Sequence, residues 1–556
     1  LQEAVEAKLT QAQEERVAER VREGDATLWG PQGTPEVANR LGWLTIAERM
    51  RAQAGELRAF AQRAREEGIE DVVLLGMGGS SLAAETMRLS FGEQNGRPRL
   101  HVLDSTDAAT VLAIERAVDP AKTLFLVSSK SGGTVEPLSM FAHFWALAPE
   151  GGRFAAITDP GSGLEELARA HDFRDIFAGD PEIGGRYSAL SAFGMVPGAL
   201  AGFDVEALLK GGGAAWRAAQ RVRAVADPRA AGVQALQEHG AGSAEPAGEE
   251  QTPAWLWLGV ALSAWAKLGR DKLTILAEEP LASVGLWLEQ LVAESTGKHG
   301  TGILPVAEEP LGEPGEYGED RVFLHLPNQG APDGALARSV EALAAAGHPV
   351  VSIPTEGAGD LGRVFMLAEL AVAVAGWGLG INPFDQPNVQ QAKDATKRVL
   401  ERYEQSGELA QAGDAKDAAL ARLLGEARPP SYVAIMGYVQ PSREFDAAVA
   451  ELRTSIRAAT KATTTFGYGP RFLHSTGQFH KGGPPVGRFL QLVHDGPQDA
   501  EIPGAPYTFT TLKNAQAAGD LETLRELELP AERVRLNGDD PASALRSLNA
   551  RIGELL

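Results

Sequence analysis

Cysteine is absent from all 556 residues, which excludes disulfides, thiolate nucleophiles and thiolate metal sites. The absence fits a reducing compartment, and the cytoplasm is the expected location. Positive charge is also scarce: 52 Lys and Arg stand against 74 Asp and Glu, a formal net charge of −22. An average surface of that sign repels duplex nucleic acid and anionic membranes, so neither is expected as a partner, and an anionic ligand needs a local positive site. The longest apolar run, Trp255 to Ala266, stops at Lys267, short of the roughly 20 residues a spanning helix needs. It reads as a buried helix. The first residues, LQEAVEAKLTQAQEERVAERVREG, lack the apolar centre and cleavage site of a secretory signal. Methionine first occurs at Met50, so the chain is expected to be part of a longer protein. The ten histidines are scattered without metal-ligand spacing, and neither a metal nor an organic cofactor is expected.

What is present is an ordinary globular composition, 44% hydrophobic and 23% charged, on a chain too long for one core. From Asp71, β-rich runs (DVVLLG, RLHVLD, TLFLVSS, RFAAITD) alternate with helical stretches such as LAAETMRLSF and VEPLSMFAHFWAL. Strand then helix, repeated, predicts a parallel sheet with helices on both faces. The pattern resumes with KLTILA, VFLHL and HPVVSIP. A third region holds YVAIMGYV, ATTTFGYG and FLQLV and reads as α+β. The expectation is an N-terminal segment with a first doubly wound α/β domain over 1–235, a second over 252–405, and a C-terminal α+β domain over 425–556. Two acidic runs, Gly240 to Glu250 and Ala307 to Asp320, read as solvated loops.

Two motifs carry the first chemical signal. GMGGSSLAAE, Gly76 to Glu85, follows a strand and opens a helix, where free N–H groups meet an anion and Gly79 and Ser80 line the turn. SSKSGGTVEP, Ser128 to Pro137, repeats the arrangement after the next strand but one. Its Ser129, Ser131 and Thr134 supply hydroxyls, its backbone an anion-binding nest and Lys130 a positive charge. Either alone is a common helix cap; both in one sheet point to one bound phosphate.

With GGRYSALSAFG at Gly184 to Gly194, QLVAESTGK at Gln290 to Lys298 and NPFDQPNVQQAK at Asn382 to Lys393, the ordered motifs resemble the glucose-6-phosphate isomerase family and its sugar isomerase (SIS) domains. The resemblance implies reversible isomerisation of glucose 6-phosphate and fructose 6-phosphate through a cis-enediol, a step of glycolysis and gluconeogenesis. It makes Gly79, Ser80, Ser129, Lys130, Ser131 and Thr134 phosphate ligands. Arg186 becomes the active-site arginine, Glu294 the base, Gln290 a substrate contact one helical turn earlier, and Lys393 a cation near the ring oxygen. A guanidinium suits an enediolate, and one carboxylate over C1 and C2 serves both proton transfers. Glu289, five residues earlier and so on another face of the same helix, should face elsewhere.

One departure stands out. The family's histidine, in a sequence ending NGQH, is missing from the interval between glutamate and lysine, whereas HSTGQFHKGG appears at His474 to Gly483. His474 and His480 are therefore the candidates for opening the ring, with His480 preferred. The third region resembles the isomerase portion of bifunctional transaldolase/glucose-6-phosphate isomerase chains, which implies an N-terminal transaldolase in the full-length protein. Family members commonly dimerise, which leaves a homo-oligomer open. Two other readings fit the motifs: a non-catalytic phosphosugar-binding regulator, against which Glu294 with Arg186 argues, and an isomerase of another hexose phosphate such as mannose 6-phosphate.

Overall fold

The computed structural model describes residues 1–221, 252–409 and 413–556. The expected boundary at residue 235 and the acidic run 240–250 lie outside the described residues. Three all-parallel sheets organise the chain. The first has strands β1 (Asp71–Gly76), β2 (Arg99–Leu103), β3 (Thr123–Ser128), β4 (Phe154–Thr158) and β5 (Asp175–Ala178), in the order β2-β1-β3-β4-β5. β1 and β3 are buried along their whole length, as apolar runs in a sheet covered on both faces must be. The second has β6 (Lys272–Ala277), β7 (Leu304–Val306), β8 (Arg321–Leu326) and β9 (Val350–Ser352), in the order β7-β6-β8-β9.

The third sheet has β10 (Tyr432–Tyr438), β11 (Thr463–Tyr468), β12 (Gly487–Val493) and β13 (Ala531–Arg535), in the order β11-β10-β12-β13. Every pairing in it is parallel, so this region is α/β, not the expected α+β. The helices Arg443–Thr460, Gly477–Gly482 and Phe509–Glu526 are its crossovers. β13, AERVR, is short, charged and at the sheet edge, where one flank escapes full burial and apolar residues are not demanded. Strand order is the same in all three sheets: the second strand lies outside the first, with the third and fourth on the other flank.

Between the first and second sheets lies one continuous apolar core, with Trp255 to Trp265 packed on the helix Leu361–Leu379. The segment Ala358–Leu379 has the length and apolarity of a membrane span, but 89% of its most apolar window is buried inside the protein. The run Ala307 to Asp320 is solvated only in part, with Glu313 and Glu319 exposed, and its stretch around Glu309 is a seam. Glu309 is buried and meets Arg321 at 2.6 Å and Arg457 at 3.8 Å, and Arg453 donates to the carbonyls of Ala307 and Glu308 at 3.1 and 2.9 Å. Arginines on the helix Arg443–Thr460 attract these acids and carbonyls out of water, and so fasten the third region to the second sheet.

Candidate active site

β1 and β3 are neighbours, with Gly76 opposite Ser128, so the two glycine- and hydroxyl-rich loops leave the sheet side by side. The strand order reverses between them, which opens a crevice at the carboxyl ends. Ser128 donates to the Ser80 carbonyl at 3.0 Å and ties the loops together. In the second loop Ser129 Oγ donates to Thr134 Oγ1 at 3.1 Å, and Ser131 Oγ lies 3.5 Å from the same atom. These hydroxyls sit at the N-terminus of the helix Val135–Leu147, where backbone N–H groups are free to bind an anion. Lys130 departs from this cluster. Its ammonium donates to Asp159 at 2.5 Å and to the Asp180 carbonyl at 2.8 Å, so its charge is met by protein rather than left for a ligand.

The glycines of the first loop have a sharper function than flexibility. Gly78 has φ +54°, and a Cβ there would stand 2.8 Å from the His474 carbonyl oxygen and 3.0 Å from Gln290 Nε2. A Cβ on Gly79 would stand 2.2 Å from the Gly185 carbonyl oxygen. The loop is thus in backbone contact with the arginine turn and with the histidine segment, and touches the glutamate helix through Gln290.

Arg186, on a short turn Gly185–Tyr187, is 1% exposed. Its Nε donates to Ser295 Oγ at 2.9 Å, and Nη2 donates to the carbonyls of Pro383 and Asp385 at 2.7 and 2.9 Å. Nη1 makes the longer contacts, 3.1 Å to Gln386 Oε1 and 3.4 Å to Glu294 Oε2. The planar fork is pinned on one side by short bonds, and Nη1 is the edge that can yield to a ligand oxygen. Tyr187 behind it packs on Trp43 and Phe384 and lies 3.3 Å from the Ser295 hydroxyl.

Glu294 projects from the buried helix Val284–Thr296. Burial pushes its carboxyl above the ordinary range, opposed by the nearby Arg186, His474 and Gln290. Gln290 donates to the His474 carbonyl at 2.8 Å. Glu289, as its helical angle requires, is elsewhere: its carboxylate accepts from the Ala307 N–H at 3.3 Å, and burial pushes it up to about 8.

The two histidines part company. His474 Nε2 lies 2.9 Å from Glu136 Oε1, and His474 belongs to the segment that touches Gly78 and Gln290. Burial alone raises Glu136, but the charge and hydrogen bond of His474, with Lys393, hold it below the usual range, so it is an anion. Lys393 itself is exposed on the helix Val389–Ser406, near enough to Glu136 to act on it. His480, preferred on sequence grounds, turns into the core of the third region instead. Its Nδ1 is 3.0 Å from the Tyr432 hydroxyl, its ring stacks on Tyr432 and meets Phe489 edge-on, and burial followed by the Lys481 charge pushes it down to about 3. A histidine neutral across the physiological range and ringed by aromatics is a packing residue. Five residues separate the two, with His474 closing the short helix Arg471–His474 and His480 on the following helix Gly477–Gly482, and only the tertiary direction of each ring distinguishes them.

Four groups around the site were not singled out in the sequence: Glu136, Ser295, Gln386 and Lys298. Lys298 is fully buried and donates to the carbonyls of Asn382 and Asp385 at 2.8 and 2.6 Å and to Asp385 Oδ1 at 2.7 Å. Burial, then the Arg186 charge, push it down to about 7. Lys298 and Arg186 share the Asp385 carbonyl, and together they shape the 382–386 segment. The signal for Lys298 was its place at the end of AESTGK, and for Gln386 its place inside NPFDQP.

Paired SIS-type parallel sheets, a hydroxyl-rich crevice at a helix N-terminus and a buried carboxylate facing a guanidinium define an α/β protein of the sugar isomerase type. The Phosphoglucose isomerase family model matches residues 11–220. A glucose-6-phosphate isomerase of Rubrobacter xylanophilus is 30% identical over 391 residues, 60% of this chain and 84% of that protein. One of Thermus thermophilus is 35% identical over 197 residues, 34% of this chain and 46% of the relative. The crystal structure of a glucose-6-phosphate isomerase from Chlamydia trachomatis superposes with a TM-score of 0.56 at 18% identity, over 72% of this chain and 86% of that one, a likeness of fold. The chain belongs to the glucose-6-phosphate isomerase family.

Proposed function

We propose that this site interconverts glucose 6-phosphate and fructose 6-phosphate through a cis-enediol, the isomerisation shared by glycolysis and gluconeogenesis. One observation carries the reading: a single loop, Gly78 to Ser80, stands against Gln290, Gly185 and His474 at once. A phosphate held there places a six-carbon chain within reach of the base, the arginine and the histidine.

Ser80, Ser129, Ser131, Thr134 and the N-terminus of the helix Val135–Leu147 bind the phosphate. His474, oriented by Glu136, transfers the proton between O5 and O1 that opens the ring, with Lys393 as the nearby cation. Glu294 then removes the C2 proton, and its carboxyl, raised by burial, is a stronger base than an ordinary exposed carboxylate. Charge develops on the enediolate oxygens and is met by Nη1 of Arg186. The hydroxyl proton of O2 passes to O1 within the cis-enediol, and Glu294, now protonated, returns the carbon-bound proton to C1. No step needs an oxidant or a second substrate.

A coupled assay of fructose 6-phosphate conversion, run in excess chelator, tests the reading. Turnover of glucose and fructose 6-phosphate in preference to mannose 6-phosphate supports it. Tight sugar-phosphate binding without turnover would make the chain a sensor and sink it.

A further inference from the structure

Beside the isomerase site the third region makes a second set of polar contacts, on a short stretch of the first sheet's domain. Asp104 to Asp107, the sequence DSTD directly after β2, is buried at every residue. Three side chains of the third region seat on it. Arg471 grips Asp104 with two bonds of 2.7 and 2.8 Å, Lys513 donates to Asp107 Oδ2 at 2.9 Å, and Gln516 accepts from the Thr106 hydroxyl at 2.6 Å. Lys513 and Gln516 lie one turn apart on the helix Phe509–Glu526, so one face of that helix makes both contacts.

Gln516 does more than dock. Its Nε2 donates at 2.8 Å to Glu136 Oε1, the same oxygen that lies 2.9 Å from His474 Nε2. Thr106, Gln516 and Glu136 are all nine-tenths or more buried. The direction of the chain is fixed by chemistry. With the Thr106 hydroxyl donating to the amide oxygen, the amide nitrogen must face the carboxylate; the flipped amide would set its oxygen against an anion and leave the hydroxyl without its acceptor. Glu136 is thereby held from two sides, and the imidazole from one fixed point.

We infer that Gln516, oriented by Thr106, is a positioning residue for ring opening: it fixes Glu136, and through Glu136 the His474 imidazole. The inference rests on the proposed assignment of ring opening to His474. It gives the third region a chemical purpose beyond supplying the histidine, because the region also carries the group that aims it.

The test isolates ring opening from isomerisation. Opening and reclosing the ring interconverts the α and β anomers of glucose 6-phosphate, which NMR magnetisation exchange reads without any isomerisation. In a Glu294→Gln background, where proton transfer at carbon is blocked, Gln516→Leu should slow enzyme-catalysed anomer exchange roughly 10- to 100-fold while glucose 6-phosphate affinity stays within about twofold. Thr106→Val, which keeps the amide but frees it to flip, should act in the same direction with a smaller loss, and it serves if Gln516→Leu does not fold. Gln516→Asn with a partial recovery would support aim rather than bulk as the cause. Anomer exchange unchanged in both folded variants would overturn the inference and leave His474 in place. Anomer exchange kept at the parent rate when His474→Ala is added to the Glu294→Gln background would overturn the ring-opening assignment itself and the inference with it.

Discussion

His474 and Glu136 lie 338 residues apart in sequence and meet at 2.9 Å, Nε2 to Oε1, beside the Gly78–Ser80 loop. A carboxylate at one ring nitrogen fixes the tautomer and leaves the other nitrogen free to exchange a proton with a ligand. Glu136 stays ionised despite full burial because His474 and Lys393 stabilise its charge. The pair therefore joins the first sheet's domain to the third region, and the proposed mechanism opens the ring at this junction.

His474→Ala should lower turnover of the cyclic substrate by roughly 10²- to 10³-fold with little change in phosphate affinity. His480→Phe should keep turnover per folded molecule and cost about 1–2 kcal/mol of stability, since only the Tyr432 hydroxyl loses its partner. Steady-state kinetics with a thermal melt on each variant reads both. The reverse pattern would return the ring-opening function to His480.

Arg186→Lys keeps the charge but not the fork. A single ammonium cannot serve Ser295, Pro383, Asp385, Gln386 and Glu294 together. Turnover should fall about 10²- to 10³-fold, as when a preorganised donor to a developing oxyanion is lost, with a stability loss on the order of 2–3 kcal/mol from unpaired buried acceptors. Kinetics and denaturant titration of the same preparation separate the two effects.

Gly79→Ala should be costly for a backbone reason. Its Cβ would stand 2.2 Å from the Gly185 carbonyl oxygen, so the Gly78–Ser80 loop and the arginine turn must move apart. A rise in KM on the order of tenfold or more is expected, with about 1–3 kcal/mol of stability lost to overpacking. Gly55→Ala, on an exposed helix position with open space around it, should instead gain about 0.5–1 kcal/mol.

Glu289 should make stability fall with rising pH. Its folded pKa is pushed up to about 8 by burial and then by the Glu308 charge, against an ordinary value near 4.5. Between those two values the folded chain keeps a proton that the unfolded chain releases, so each step up in pH favours unfolding. The penalty is nil below about pH 4.5, grows through neutrality and is complete above about pH 8. Glu289→Gln should remove that slope, gaining about 2–4 kcal/mol relative to wild type between pH 5 and pH 8.5 in urea titrations.

Local motifs were legible because their chemistry is contiguous. A glycine- and serine-rich turn between strand and helix displays its anion site in a few residues, and GGRYS and AEST present Arg186 and Glu294 from single short elements. Direction was not legible. Lys130 stands between two loop hydroxyls in sequence, yet points to Asp159, because successive side chains in a turn leave on different sides. Glu136 has no signal until a histidine 338 residues away is placed against it. The third sheet was misread for want of β13, whose charged edge residues hide the parallel pattern.

The claim at the centre is that Glu294 carries the proton between C2 and C1, and the most direct measurement is ¹H NMR of glucose 6-phosphate in D₂O with catalytic enzyme. Wild type should exchange the C2 proton for deuterium while fructose 6-phosphate forms, and Glu294→Gln, folded and still binding the sugar phosphate, should lose both by at least about 10³-fold. C2 exchange or fructose 6-phosphate formation at near wild-type rate in that variant would contradict the account.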